Sequence, residues 1–105
     1  MHIIDEKLQQ LECPVSLFVP IANLVGRTRL TQFLKGDVQL GLTLVAQLVA
    51  VLDEMQELKR TSLIAPNWAD ATNIREQLAQ RRAFKQAAEY DSDAVRKLLL
   101  GGGER

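Results

Sequence analysis

The chain is poor in the residues that build cross-linked, metal-bound or catalytic centres. Its 105 residues include one cysteine and one histidine, Cys13 and His2. A single cysteine closes no internal disulfide and reads as a small thiol in a reducing compartment. Cys13 and His2 together fall short of the ligand count of a usual zinc site, so no metal or cofactor is expected. No second histidine stands ready to activate Cys13. The three consecutive glycines, Gly101–Gly103, have no strand before them and no helix after them, so they form no phosphate loop. The carboxylate pairs Asp53/Glu54 and Asp91/Asp93 are explained by solvation and capping. These absences point away from an enzyme.

Charge of one sign is also missing. Thirteen basic residues balance thirteen acidic ones, so nothing pulls the whole molecule toward nucleic acid or membrane. The longest apolar stretch, "GLTLVAQLVAVL", contains Thr43 and Gln47 and is too short to span a bilayer. The N-terminus, "MHIIDEKLQQ", does not read as a signal peptide, because Asp5, Glu6 and Lys7 interrupt it. The expectation is a soluble cytoplasmic protein.

Helix formers are abundant. Leu, Ala, Gln, Glu and Arg dominate, aromatics make up 5%, and no period-2 strand stands out. The expected fold is all-α: one compact helical domain of five to six helices over residues 1–100, with a flexible tail at 101–105. The helices are expected at about 3–12, from near Leu17–Val19 to Leu24, at 28–35, at 39–60, and from Asn67. A last short one is capped by Asp91–Asp93 and contains "LLL". The second begins late because Pro20 is tolerated only near a helix start. Asn67 and Asp70 have the spacing of a capping box. The long fourth helix is apolar nearly all round in its N-terminal half, so burial on more than one side is expected.

The segment "VPIANLVGRTRLTQFLKG", Val19–Gly36, carries three basic residues and no acid. It has the pattern of two short helices joined by a tight turn. A helix-turn-helix needs apolar residues where the helices meet and a polar face on the second helix. In one register Ala22 and Gly26 take the small-residue positions. That register buries Arg27, Gln32 and Lys35, which costs about 1–3 kcal/mol for each unpartnered polar group. Counting back from Gly36 instead puts Val19, Val25, Leu30 and Phe33 at the buried positions and leaves a polar face outside. Leu24 then replaces the usual glycine, and Pro20 the usual alanine.

With "TRLTQFLKG", "LVAQLVAVLDEMQELKR" and "APNWADATNIREQLAQRR" in this order, residues 16–82 resemble small phage and prophage proteins of the Cro/repressor-like class. The resemblance implies a helix-turn-helix at about 16–36 and sequence-specific binding of double-stranded DNA. It further implies a transcriptional regulator that acts as a homodimer.

On that reading Arg29 and Gln32 are candidates for base edges, since both side chains make bidentate contacts in the major groove. Thr28 and Lys35 are placed near phosphates, and Arg27 serves either role. Arg81, Arg82 and Lys85 form a second basic patch, which either tracks phosphates or is a solvated helix surface paired along its own helix. Leu44, Leu48, Val51 and Leu52 form either a two-fold interface or the central core. Trp68 reads as a packing anchor. The rival to DNA binding is a small phage-type helical protein that binds and inhibits a host protein, favoured by the zero net charge.

Overall fold

Every regular element among the described residues is an α-helix: α1 (Ile3–Leu11), α2 (Val15–Ala22), α3 (Arg27–Lys35), α4 (Leu42–Thr61) and α5 (Ala71–Arg96). In this computed structural model the backbone is described for residues 2–96 and side-chain exposure for residues 2–86. The all-α expectation holds, and the fourth helix is long, at 20 residues.

α1 buries Ile4, Leu8 and Leu11, one stripe at helical spacing, against α4. His2 caps it: its Nδ1 accepts from the Ile4 amide at 3.1 Å. The helix ends at Glu12, a non-glycine residue in the left-handed region at φ 55°. The Cys13 amide donates to the Leu8 carbonyl at 3.0 Å and the Glu12 amide to Gln9 at 3.1 Å, which satisfies two terminal carbonyls. Three polar contacts fasten α1 across α4: Lys7 to Asp53 at 2.6 Å, Gln56 to Gln10 at 2.8 Å, and Lys59 to the Gln10 carbonyl at 3.2 Å.

α2 begins earlier than Pro20 led us to expect, at Val15, with Pro14 as its N-terminal cap. Pro20 therefore sits inside the helix and cannot donate to the carbonyl four residues back, that of Ser16. Both Ser16 and Pro20 are exposed, so water can satisfy that carbonyl. α2 points Phe18 and Ile21 into the core and packs against both α3 and α5.

α4 starts at Leu42, three residues later than expected, after Gly41 at its cap. Its buried side chains are Leu48, Val51, Leu52, Met55 and Leu58. The N-terminal half is not buried all round: Leu42 is 88% exposed, Ala46 and Ala50 are exposed, and Leu44, Val45 and Val49 are half-buried. Neighbouring helices cover one side of this half and leave the other to solvent.

The capping box expected at Asn67 is replaced by a turn. The Asp70 amide donates to the Asn67 carbonyl at 3.0 Å, and Asp70 itself caps α5, its Oδ1 accepting from the Asn73 amide at 3.2 Å. Within this turn Trp68 is 8% exposed, and its Nε1 donates to the Leu11 carbonyl at 2.9 Å. Trp68 thus joins the α4–α5 connection to the end of α1 as a packing anchor. α5 contributes Ile74 and Leu78 to the core and continues unbroken through Asp91–Asp93 to Arg96. The expected separate helix there does not form, because the preceding "RRAFKQAAE" is rich in strong helix formers that carry the helix through. The "LLL" segment and the tail at 101–105 lie outside the described residues.

Candidate nucleic-acid interface

α2, α3 and the connection between them hold the segment Val19–Gly36. Asn23 takes the left-handed conformation at φ 52°, and its amide donates to the Val19 carbonyl at 2.8 Å. Asparagine is among the few non-glycine residues that tolerate this region. Gly26 has an ordinary φ of −75° and caps α3 without a side-chain hydrogen bond. The turn therefore makes no use of glycine's freedom at residue 26, which removes the attraction of the register built on Ala22 and Gly26. It also explains why Leu24 is tolerated in the other register: the left-handed residue is its neighbour Asn23.

At the far end of α3, Gly36 has φ 86°, the Asp37 amide donates to the Gln32 carbonyl at 2.8 Å, and the Gly36 amide to Phe33 at 3.0 Å. Here the positive φ requires glycine.

Side chains on α3 sort cleanly. Leu30 is 0% exposed, while Thr31, Phe33 and Leu34 are half-buried. Arg27, Thr28, Arg29, Gln32 and Lys35 are all exposed. Among the four apolar positions of the register, Leu30 is fully buried, and Val19, Val25 and Phe33 are half-buried and packed against the core. Phe18 and Ile21 do more of the burial within α2 than Val19 does. Sequence spacing did not single out one contact: the His2 ring packs edge-on against Phe33, with centroids 4.8 Å apart. The start of α1 thereby supports the inner side of α3. Aromatic neighbours so distant in sequence leave no local signal.

Electrostatically the face of α3 is one-signed. From Pro14 to Gly36 the chain holds Arg27, Arg29 and Lys35 and no acid. Among the described residues none of these cations has a carboxylate within ion-pair distance.

The second basic patch behaves differently. Arg82 forms a two-pronged hydrogen bond to both carboxylate oxygens of Glu54 on α4, and this carboxylate raises its pKa above the ordinary arginine value. Glu57 lies 2.7 Å from Arg60 and 3.9 Å from Arg81. The hydrogen bond from Arg60, aided by the charges of Arg60, Arg81 and Lys85, holds its carboxyl below the ordinary 4.5. A cleft of about 1000 Å³ opens there, with Asp53, Glu54 and Glu57 on one wall and Arg81, Arg82 and Lys85 on the other. Arg81 and Arg82 thus have a carboxylate of α4 within ion-pair distance, which the cations of α3 lack among the described residues. The pairing runs across helices rather than along α5.

The α4 leucines belong to the core of this chain. Leu48 and Leu52 are 0% exposed and Val51 8%, so they have no surface to give a partner, and Leu44 is half-buried. Cys13 is buried, and burial pushes its thiol up to about 11, which keeps it protonated at neutral pH. Among the described residues no three His, Cys, Asp or Glu side chains gather closely enough to hold a metal ion, and no helix is long and apolar enough to cross a membrane. No family model, curated protein or solved structure matches the chain.

Proposed function

We propose that this protein is a sequence-specific DNA-binding transcriptional regulator that reads the major groove with α3. One observation carries the reading. A nine-residue helix is held by the buried Leu30 and turns Arg27, Thr28, Arg29, Gln32 and Lys35 outward, with no acid among them. Arg29 and Gln32 supply bidentate donors for base edges. Thr28 and Lys35 hold phosphates and set the register, and Arg27 at the start of the helix joins them. The first turn of α3 has no side-chain cap, which leaves its amides open toward a phosphate. Such a regulator works in the cytoplasm, and two copies would read two half-sites.

The test is binding to duplex DNA at graded salt, starting with DNA upstream of its own gene. Affinity should fall steeply as salt rises, with a slope of about one unit per phosphate contact. Absence of binding at low salt would sink the reading.

The second reading, a protein that binds and inhibits a host protein, is favoured by one surface feature. Leu63 and Ile64, in the α4–α5 connection, are 104% and 85% exposed. Replacing both with serine separates the readings: DNA binding is untouched on the first and partner capture is lost on the second.

A further inference from the structure

α3 has one fully buried side chain, Leu30, and among the other helices it packs chiefly on α2. A single buried anchor fixes where a helix sits. Its roll about its own axis is then set by the residues beside that anchor. At about 100° per residue, Phe33 and Leu34 fall about 60° and 40° to either side of Leu30. Both are half-buried and packed against the core, so what they touch decides the roll.

Phe33 meets the His2 ring edge-on, with centroids 4.8 Å apart. That ring is itself held in place. Its Nδ1 accepts from the Ile4 amide at 3.1 Å, and the His2 carbonyl accepts from the Glu6 amide at 3.1 Å. Ile4 is 0% exposed and belongs to the stripe that α1 buries against α4. A continuous path therefore runs from the core through the start of α1 and the His2 ring to one flank of α3.

The same flank adjoins the side chains assigned to base edges. Arg29 stands four residues before Phe33 on the same row of the helix, and Gln32 is the neighbour of Phe33. Both are exposed. A roll of α3 would misalign both bidentate groups with a base edge. Lysine, a point charge on a flexible stem, tolerates the same shift at a phosphate.

We infer that His2 is a positioning residue for sequence readout: its ring, through Phe33, sets the roll of α3 and so aims Arg29 and Gln32. The inference rests on the DNA reading proposed above.

Two substitutions divide the roles of His2. His2→Asn keeps a side-chain acceptor for the Ile4 amide and removes the ring. His2→Phe keeps a ring and removes the acceptor. Each is measured against a duplex that the wild type selects from a random-sequence pool, and against a scrambled duplex of the same composition. Thermal denaturation in parallel confirms that each variant folds. His2→Asn should lower affinity for the selected duplex about tenfold and leave the scrambled one unchanged. His2→Phe should melt earlier for want of the cap, yet keep most of the selectivity. On a Phe33→Leu background His2→Asn should change selectivity little further, because the ring has lost its partner.

Unchanged selectivity in His2→Asn overturns the inference, as does an equal loss in His2→Asn and His2→Phe. So does a full effect of His2→Asn on the Phe33→Leu background. If affinity for both duplexes falls alike, His2 serves only the fold and the inference fails. A wild type that binds every duplex equally, or none at low salt, defeats the DNA reading itself and the inference with it.

Discussion

Two basic clusters that look alike in the sequence have different surroundings in the folded chain. Arg27, Arg29 and Lys35 stand on α3 without a carboxylate partner among the described residues, on a helix held inward by Leu30. Arg81, Arg82 and Lys85 stand on α5 opposite Asp53, Glu54 and Glu57 of α4, and Arg82 is already committed to Glu54. Arginine content alone therefore says little about phosphate binding; what matters is whether the fold has brought an acid within reach. A free cation keeps its charge for a ligand, while a paired one has exchanged it for a contact between helices.

The largest effect should come from breaking the platform of the first cluster. Leu30→Ala removes the one fully buried side chain of α3 and should cost about 2–5 kcal/mol in a denaturation experiment. It should abolish DNA binding by displacing the whole face. Next comes the face itself. Arg29→Ala and Gln32→Ala should each cost about 1–3 kcal/mol of binding to the preferred sequence, with the denaturation midpoint unchanged. If sequence preference survives both changes, α3 is not the reading helix.

The matching change in the second cluster should act in the opposite column. Arg82→Ala should lower stability by no more than about 1 kcal/mol, since the pair is half-exposed, and should leave DNA affinity alone. Acid extends the same contrast. Because Arg60 and its neighbours lower the pKa of Glu57, its contribution is complete above the ordinary 4.5 and is lost as pH falls through the lower folded value. Chemical denaturation followed from pH 6 downward should show that decline, and Arg60→Ala should reduce it. The cations of α3 have no carboxylate to lose, so DNA affinity of the folded fraction should not decline over that range.

The smallest change gives the most direct separation of fold from function. Gly26 has an ordinary φ, and a Cβ there would meet nothing within 4 Å. Gly26→Asp supplies the missing cap and should stabilise α3 by a few tenths of a kcal/mol. The same carboxylate would repel a phosphate at the start of the helix. Stability should rise while DNA affinity falls; a rise in both would move the phosphate contact away from that end.

Much of the fold is legible in the residues. The 3.6-residue spacing of Ile4, Leu8 and Leu11, and later of Ile74 and Leu78, marks buried faces that the structure contains. Gly36 marks the end of α3, because a left-handed residue closing a helix is a local event. Helix starts were less legible. Pro20 pointed to a late start for α2, yet Pro14 caps it and the exposed backbone absorbs the lost hydrogen bond. Asn67 and Asp70 had the spacing of one capping box with the helix starting at Asn67, yet Asp70 is the residue that caps α5, and Trp68 in the turn between them is buried with its Nε1 donating to Leu11. The polar face of α3 was readable because leaving Arg27, Gln32 and Lys35 outside follows from the cost of burying them.

By itself the sequence determined an all-helical chain, the register of α3 and the acid-free segment around it. Those are consequences of local backbone preference, helical period and the price of burying charge. Only the tertiary structure decided that Leu48 and Leu52 are core rather than interface, that Arg82 is bound to Glu54, and that His2 supports Phe33. Each of these joins residues far apart in the chain, and a contact of that kind depends on how helices pack, which no local pattern contains.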